Sequence, residues 1–194
     1  MSNQASVVDD ILGGLHSEKA ARPHLIQAGL TDLPAAYRIL QHLAGGPKRR
    51  EEVEKFLPHL IVTLGTVADP DRVLFSVDRF VDRFSDPVHV LRTLAVNPRA
   101  VEILVTLFAG SQFLTEIVLR NPDYFERLVA YRQMAAPKSV ERYYTEAQEA
   151  IEGKPGAAEM LDALRRYQSW AALDRLGGQL RCSAQGLPSR GNHR

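Results

Sequence analysis

The sequence predicts an all-α protein, an irregular bundle of about eight to ten helices with a disordered C-terminal tail, and three observations lead there. Four Asx-Pro pairs, Asp69-Pro70, Asp86-Pro87, Asn97-Pro98 and Asn121-Pro122, read as helix starts. An Asx side chain accepts a hydrogen bond from a free first-turn N–H, and proline at the first helical position loses no bond the helix needed. The stretches between the pairs carry apolar residues at helical spacing. Alternating strand patterns bounded by hairpin turns are absent, and no window repeats at a fixed period, which argues against a regular solenoid.

Taken in order, residues 1–24 read as a lead-in, 25–152 as the bundle, 153–178 as a further helix and 179–194 as the tail. A short helix is expected from Pro34 to Leu43. Val53, Phe56, Leu57, Leu60, Ile61 and Leu64 share one helical face, and Pro58 inside that helix should kink or divide it near Phe56 and Leu57. After Asp69-Pro70, Val73, Leu74, Val77, Phe80, Val81 and Phe84 form the apolar stripe, with Arg72, Asp78, Arg79, Asp82 and Arg83 left to solvent. Val88 to Val96 gives another short helix. Val101, Ile103, Leu104, Val105, Leu107 and Phe108 cover nearly the whole circumference, which predicts a central helix packed on several sides.

Gly110 should end that helix and Ser111 cap the next, which presents Phe113, Leu114, Ile117 and Val118. Asn121-Pro122 should open one with Tyr124, Phe125, Leu128 and Val129, and Val140 to Ile151 is a further candidate. Gly153 to Gly156 reads as a loop before a helix carrying Met160, Leu161, Leu164 and Tyr167. The pattern stops at Gly177-Gly178; Arg181 to Arg194 holds no acidic residue and is expected to be disordered.

Composition bounds the function. A chain of 194 residues can bury a real core, and 45% apolar with 24% charged residues excludes a disordered chain as a whole. A formal net charge of +1 offers no electrostatic reason to bind nucleic acid or an anionic membrane. Nor does any apolar run reach the roughly 18 to 20 residues of a membrane span. The single cysteine, Cys182, excludes an intramolecular disulfide and a cysteine-rich metal site, and Met1 to Asp10 lacks the basic and apolar regions of a secretion signal. A cytoplasmic protein is expected.

Three stretches together resemble the bifunctional glutamine synthetase adenylyltransferase/adenylyl-removing enzyme family: AGLTDLPAAYRILQHLA from Ala28 to Ala44; DPDRVLFSVDRF and LAVNPRAVEILVTLFAGSQFLTEIVLRNPDYFERL within Asp69 to Leu128; and LDALRRYQSW from Leu161 to Trp170. The likeness runs over roughly residues 25 to 170 and falls on helix-packing features. It implies the family's N-terminal helical part, the lead-in to a nucleotidyltransferase core. For the complete enzyme it implies transfer of AMP from ATP to a tyrosine of glutamine synthetase and phosphorolytic removal. ATP, Mg²⁺ and control by a small nitrogen-signalling protein come with that resemblance. After Trp170 the sequence departs from the family pattern, so a chain truncated or frame-shifted before the catalytic core is expected.

The chemistry of such a core is a Gly-Ser turn followed by an Asp-x-Asp pair that holds Mg²⁺. Gly110-Ser111 is followed by Asp123, but Phe125 stands where the second carboxylate should be. Asp69-Pro70-Asp71 has no Gly-Ser before it and sits at a helix start, so it reads as a cap. His16, His24, His42, His59, His89 and His193 fall in no metal-binding spacing, and most are expected to be exposed or satisfied by backbone groups. Cys182 lacks a base, and Lys48-Arg49-Arg50 before Glu51-Glu52 reads as a solvated face. No catalytic, cofactor-binding or metal residue is therefore assigned, and the chain alone is expected to be inactive.

Phe75, Phe80, Phe84, Phe108, Phe113, Tyr124 and Phe125 are read as mostly core, with the Tyr124 hydroxyl reaching water. Trp170 would be left exposed if the chain stops soon after it. A fragment should show an exposed apolar face near Leu161 to Leu176. The rival reading, a non-catalytic helical interaction module, predicts order there instead. Nucleic-acid binding, resting on the tail arginines alone, is the weakest alternative.

Overall fold

The computed structural model describes residues 2–13, 17–131 and 138–184, and these contain eleven α-helices and no strand. They are α1 (Ser2–Leu12), α2 (Ser17–Gln27), α3 (Leu33–Leu43), α4 (Pro47–Leu64), α5 (Pro70–Val81), α6 (Pro87–Val96), α7 (Pro98–Gly110), α8 (Gln112–Arg120), α9 (Asp123–Tyr131), α10 (Val140–Ile151) and α11 (Ala157–Ala184). The all-α class is as the sequence reads. The chain divides into two compact units, Met1–Pro122 and Asp123–Arg194, a division that falls inside the stretch 25–152.

Within the first unit, α4 packs against α6, α7 and α1, and α5 packs against α3, α7 and α8. The expected stripe of α5 is buried at Val73, Leu74, Val77, Phe80 and Val81. On α7, Val101, Ile103, Leu104, Val105, Leu107 and Phe108 are all buried, as an all-round apolar helix requires. Phe80 stands edge-on to Phe84 at 5.0 Å and to Phe108 at 5.9 Å between ring centres. Pro58 does not divide α4, which runs unbroken from Pro47 to Leu64. Burial of Phe56, Leu57, Leu60 and Ile61 on both sides of the proline outweighs the one backbone bond its ring removes.

The residues read as a lead-in form α1 and α2, which pack on each other and on α3, and Ile11, Leu12, Ala21 and Leu25 are core. Gln41 donates to the Ile11 carbonyl and Arg50 to that of Leu12, so the end of α1 is tied down by polar bonds as well.

The Asx-Pro pairs share a place in sequence but not a single role. Asp69 accepts from the Arg72 N–H, and Asp86 from those of Val88 and His89. Asn97 makes no side-chain cap; it sits where α6 turns into α7 through 110° and closes one helix as it opens the next. Asn121 works backwards, its amide donating to the Ile117 carbonyl of α8, and α9 starts only at Asp123. A carboxylate only accepts, whereas an amide also donates and can close the preceding helix. Ser111 caps α8 as expected. No single helix is long and apolar enough to cross a membrane among the described residues.

In the second unit α11 packs on α10 and α9. Helix α11 continues through Gly177-Gly178 to Ala184, into the stretch read as tail; residues 185–194 lie outside the described residues. Two of the aromatics read as core are exposed, Phe75 at 51% and Phe113 at 69%, because each lies on the outer side of its helix.

Candidate functional site

The structure gives the resembling motifs a shared physical role. Asp71, in the second stretch, accepts from the Thr31 N–H at 2.9 Å and hydroxyl at 2.7 Å, and from the Asp32 N–H at 3.2 Å, all in the first stretch. Burial pushes its carboxyl up, but the Thr31 and Asp32 donors outweigh that and hold it below the ordinary carboxylate value. Next to it, Arg72 donates to the Phe108 carbonyl at 2.9 Å and the Ala109 carbonyl at 3.2 Å, closing the open end of α7. Gly29 turns the chain into Thr31 with φ +76, against Pro70. The Asp69-x-Asp71 pair is thus two anchors, one for its own helix and one for the loop before α3. Asp69 as a cap was legible; the reach of Asp71 to Thr31 was not, since it joins residues 40 apart in sequence.

His42 and His89 are exposed, as expected, whereas His24 corrects the expectation: it is half-buried and its Nε2 lies 2.8 Å from the Asp10 carboxylate and not on a backbone group. The exposed His42 also has a carboxylate partner, its Nδ1 lying 2.7 Å from Asp78. His42, Asp78 and Asp82 offer one donor atom each, all within 4.8 Å of one another, which spacing along the chain did not show because the histidine comes from α3 and the carboxylates from α5 and the residue capping its end. The cluster is already compensated: Arg49 reaches Asp82 at 3.8 Å, and the Asp78 hydrogen bond raises the His42 pKa above 6.5. His59 Nε2, 3.6 Å from Glu102, has no hydrogen-bond partner among the described residues. His16 and His193 lie outside the described residues. Ser111 caps α8 and Lys48 is exposed, in keeping with the bland readings of those motifs, but Arg50 is half-buried, pairs with Glu54 and donates to the Leu12 carbonyl, so it is a structural tie and not a solvated charge.

The second unit builds a cleft of about 390 Å³ lined by Tyr124, Arg127, Ala150, Lys154, Ala163, Arg166, Tyr167 and Trp170. Arg127, on α9, lays its guanidinium over the Trp170 ring at 4.4 Å, and Tyr124 meets the same ring edge-on at 5.9 Å. Trp170 is therefore 7% exposed and not left bare, as are Ala163 at 5% and Leu173 at 0%, whereas Met160 and Leu161 are exposed. The Tyr124 hydroxyl donates to the Arg166 carbonyl.

Beside the cleft a half-buried polar network joins α10 and α11. Tyr143 donates to Asp174 at 3.0 Å, Tyr167 donates to the Tyr143 carbonyl at 2.8 Å, and Lys138 bridges Glu146 at 2.8 Å and Asp174 at 3.5 Å. Burial and then the Asp174 hydrogen bond push the Tyr143 hydroxyl up to about 12, so it stays a donor.

With that geometry in place, comparison with curated proteins is informative. A bifunctional glutamine synthetase adenylyltransferase/adenylyl-removing enzyme of Thioalkalivibrio sulfidiphilus is 27% identical over 172 residues, 84% of this chain and 18% of the relative. The Pseudomonas aeruginosa enzyme of that name is 28% identical over 78% of this chain and 16% of its own length, and the Streptomyces coelicolor one 30% over 55% and 11%. The resemblance to this family is shown. The chain spans less than a fifth of the length of these relatives. No family model and no solved structure matches.

Proposed function

We propose that the chain is the N-terminal helical segment of a glutamine synthetase adenylyltransferase, a packing frame for a nucleotidyltransferase core that these residues do not supply. The Asp71 and Arg72 anchor carries the reading, because it fastens two of the three resembling stretches, Ala28 to Ala44 and Asp69 to Leu128, into one body. The complete enzyme would move AMP between ATP and a tyrosine of glutamine synthetase, using Mg²⁺, in the cytoplasm and under a small nitrogen-signalling regulator. In this segment the one Asp-x-Asp pair is engaged with backbone and hydroxyl donors, so it is not free to share a metal. Incubating the purified chain with glutamine synthetase, Mg²⁺ and ATP labelled in its adenylyl group should give no transfer; metal-dependent labelling refutes the non-catalytic assignment.

A second reading, a helical protein-interaction module without any enzymatic context, draws support from Phe75 and Phe113. Both are exposed, on α5 and α8, which pack together and are bridged by Arg79 and Glu116 at 4.0 Å. Fusing the chain to a family nucleotidyltransferase core separates the two readings: a gain in activity over the core alone supports the frame, and no gain supports the module.

A further inference from the structure

We propose that the cleft among α9, α10 and α11 binds a phosphoryl-bearing anion. Three of its eight lining residues, Arg127, Lys154 and Arg166, are cations, and none is a carboxylate. Among the described residues no ion pair ties up any of the three. Elsewhere the chain pairs some of its cations, as Arg50 with Glu54, Arg142 with Glu146 and Arg165 with Asp162, and leaves others such as Arg22, Arg38 and Lys48 without an ion pair among the described residues; the cleft differs in gathering three such cations around one concavity. Like charges gathered around one concavity repel, and an anion relieves the repulsion while adding charge-assisted hydrogen bonds.

Arg127 is placed for this role by its contact with Trp170. Its guanidinium carbon lies 4.4 Å from the centre of the Trp170 ring, a cation–π contact that holds the group in the cleft without using up its N–H donors. A planar fork of that kind suits phosphate oxygens. Tyr124 holds the Arg166 main chain, while the Tyr167 hydroxyl is committed to the Tyr143 carbonyl and Glu146, so the polar walls are fixed before any ligand arrives. The volume falls in the range of small-ligand sites and is large enough for a group beyond a single phosphate. The ligand could then be a free inorganic phosphate species or the phosphate end of a nucleotide, whose ring would meet Tyr124 or Tyr167. This inference does not depend on the function proposed above.

Trp170 is the only tryptophan of the chain and lies in the cleft, so its fluorescence reports directly. The full chain is titrated with inorganic phosphate, pyrophosphate, AMP and ATP, and calorimetry repeats each titration. At least one of them should give a saturable signal that weakens with added salt. Pyrophosphate and ATP binding alike assigns the site to the phosphoryl group alone, while AMP and ATP binding without pyrophosphate assigns it to nucleotides. Lys154 and Arg166 are exposed, so K154Q/R166Q should keep its circular dichroism and lose about tenfold or more in affinity. Absence of saturable binding by both methods overturns the proposal. Unchanged affinity in the folded double variant overturns it equally.

Discussion

The two units use polar side chains differently. In the first, they serve mostly as terminators of backbone: Asp69 and Asp86 at helix starts, Asp71 on the Thr31 loop, Arg72 on the last carbonyls of α7. The core behind them is apolar apart from Ser76, Thr115 and Glu52, the last paired with Lys55 and Arg92. In the second, α10 contributes no buried residue, and its contact with α11 runs through Tyr143, Tyr167, Glu146, Asp174 and Lys138. Burial pushes the Glu146 carboxyl up, yet the Lys138 and Arg142 contacts together outweigh it and hold the group below its ordinary value. The contrast teaches that one helical chain can hold one unit by shape and the other by partner matching. Mutations should then fail in different ways: the first unit by cavity, the second by stranded charge.

The largest effect is expected from F108A in the first unit. Phe108 is fully buried against Phe80, and its removal should cost about 3–5 kcal/mol of stability in chemical denaturation. In the second unit D174A should cost about 3 kcal/mol, because Asp174 is 3% exposed and its loss leaves the Tyr143 hydroxyl and the Lys138 ammonium without that acceptor. If D174L proves as stable as the parent protein, the second unit is held by packing like the first, and the comparison breaks.

R72A tests the polar terminators of the first unit on their own terms. It frees the Phe108 and Ala109 carbonyls, and about 2 kcal/mol should be lost; D71N should lose about 1 kcal/mol, since an amide oxygen still accepts but without charge. A loss below about 0.5 kcal/mol for R72A would reduce the anchor to surface decoration.

How far the sequence reached follows the same line. Helix starts at Asp69 and Asp86 and the buried faces of α5 and α7 were legible because caps and 3.6-residue spacing are local. The contributions of α1 and α2 were missed: Ile11, Leu12, Ala21 and Leu25 are too sparse to announce a stripe, and they become core only by meeting α3 and α4. Phe75 and Phe113 misled, since hydrophobic type was read as burial without regard to helical phase. The cleft was invisible for a different reason. Arg127, Lys154 and Arg166 read singly as solvent-facing charges, and only the packing of α9 and α11 puts two of them beside Trp170.

The smallest expected effect is a pH dependence in the first unit, carried by His42. Its Nδ1 meets Asp78 on α5 at 2.7 Å and its Nε2 faces Asp82 at 3.9 Å, with Arg49 from α4 opposing. The Asp78 hydrogen bond, then its charge, raise the histidine pKa above 6.5. The folded protein therefore holds this proton more tightly than the unfolded chain, so the added stability is fully present below the unfolded value and fades as pH rises through the folded one. The side chain is 54% exposed, and solvent screening keeps the effect small. The unfolding midpoint should fall slightly as pH is raised from about 6 to about 8, and H42Q should flatten that slope. A slope that survives H42Q unchanged would place the unit's pH-sensitive contact away from the α3–α5 contact altogether.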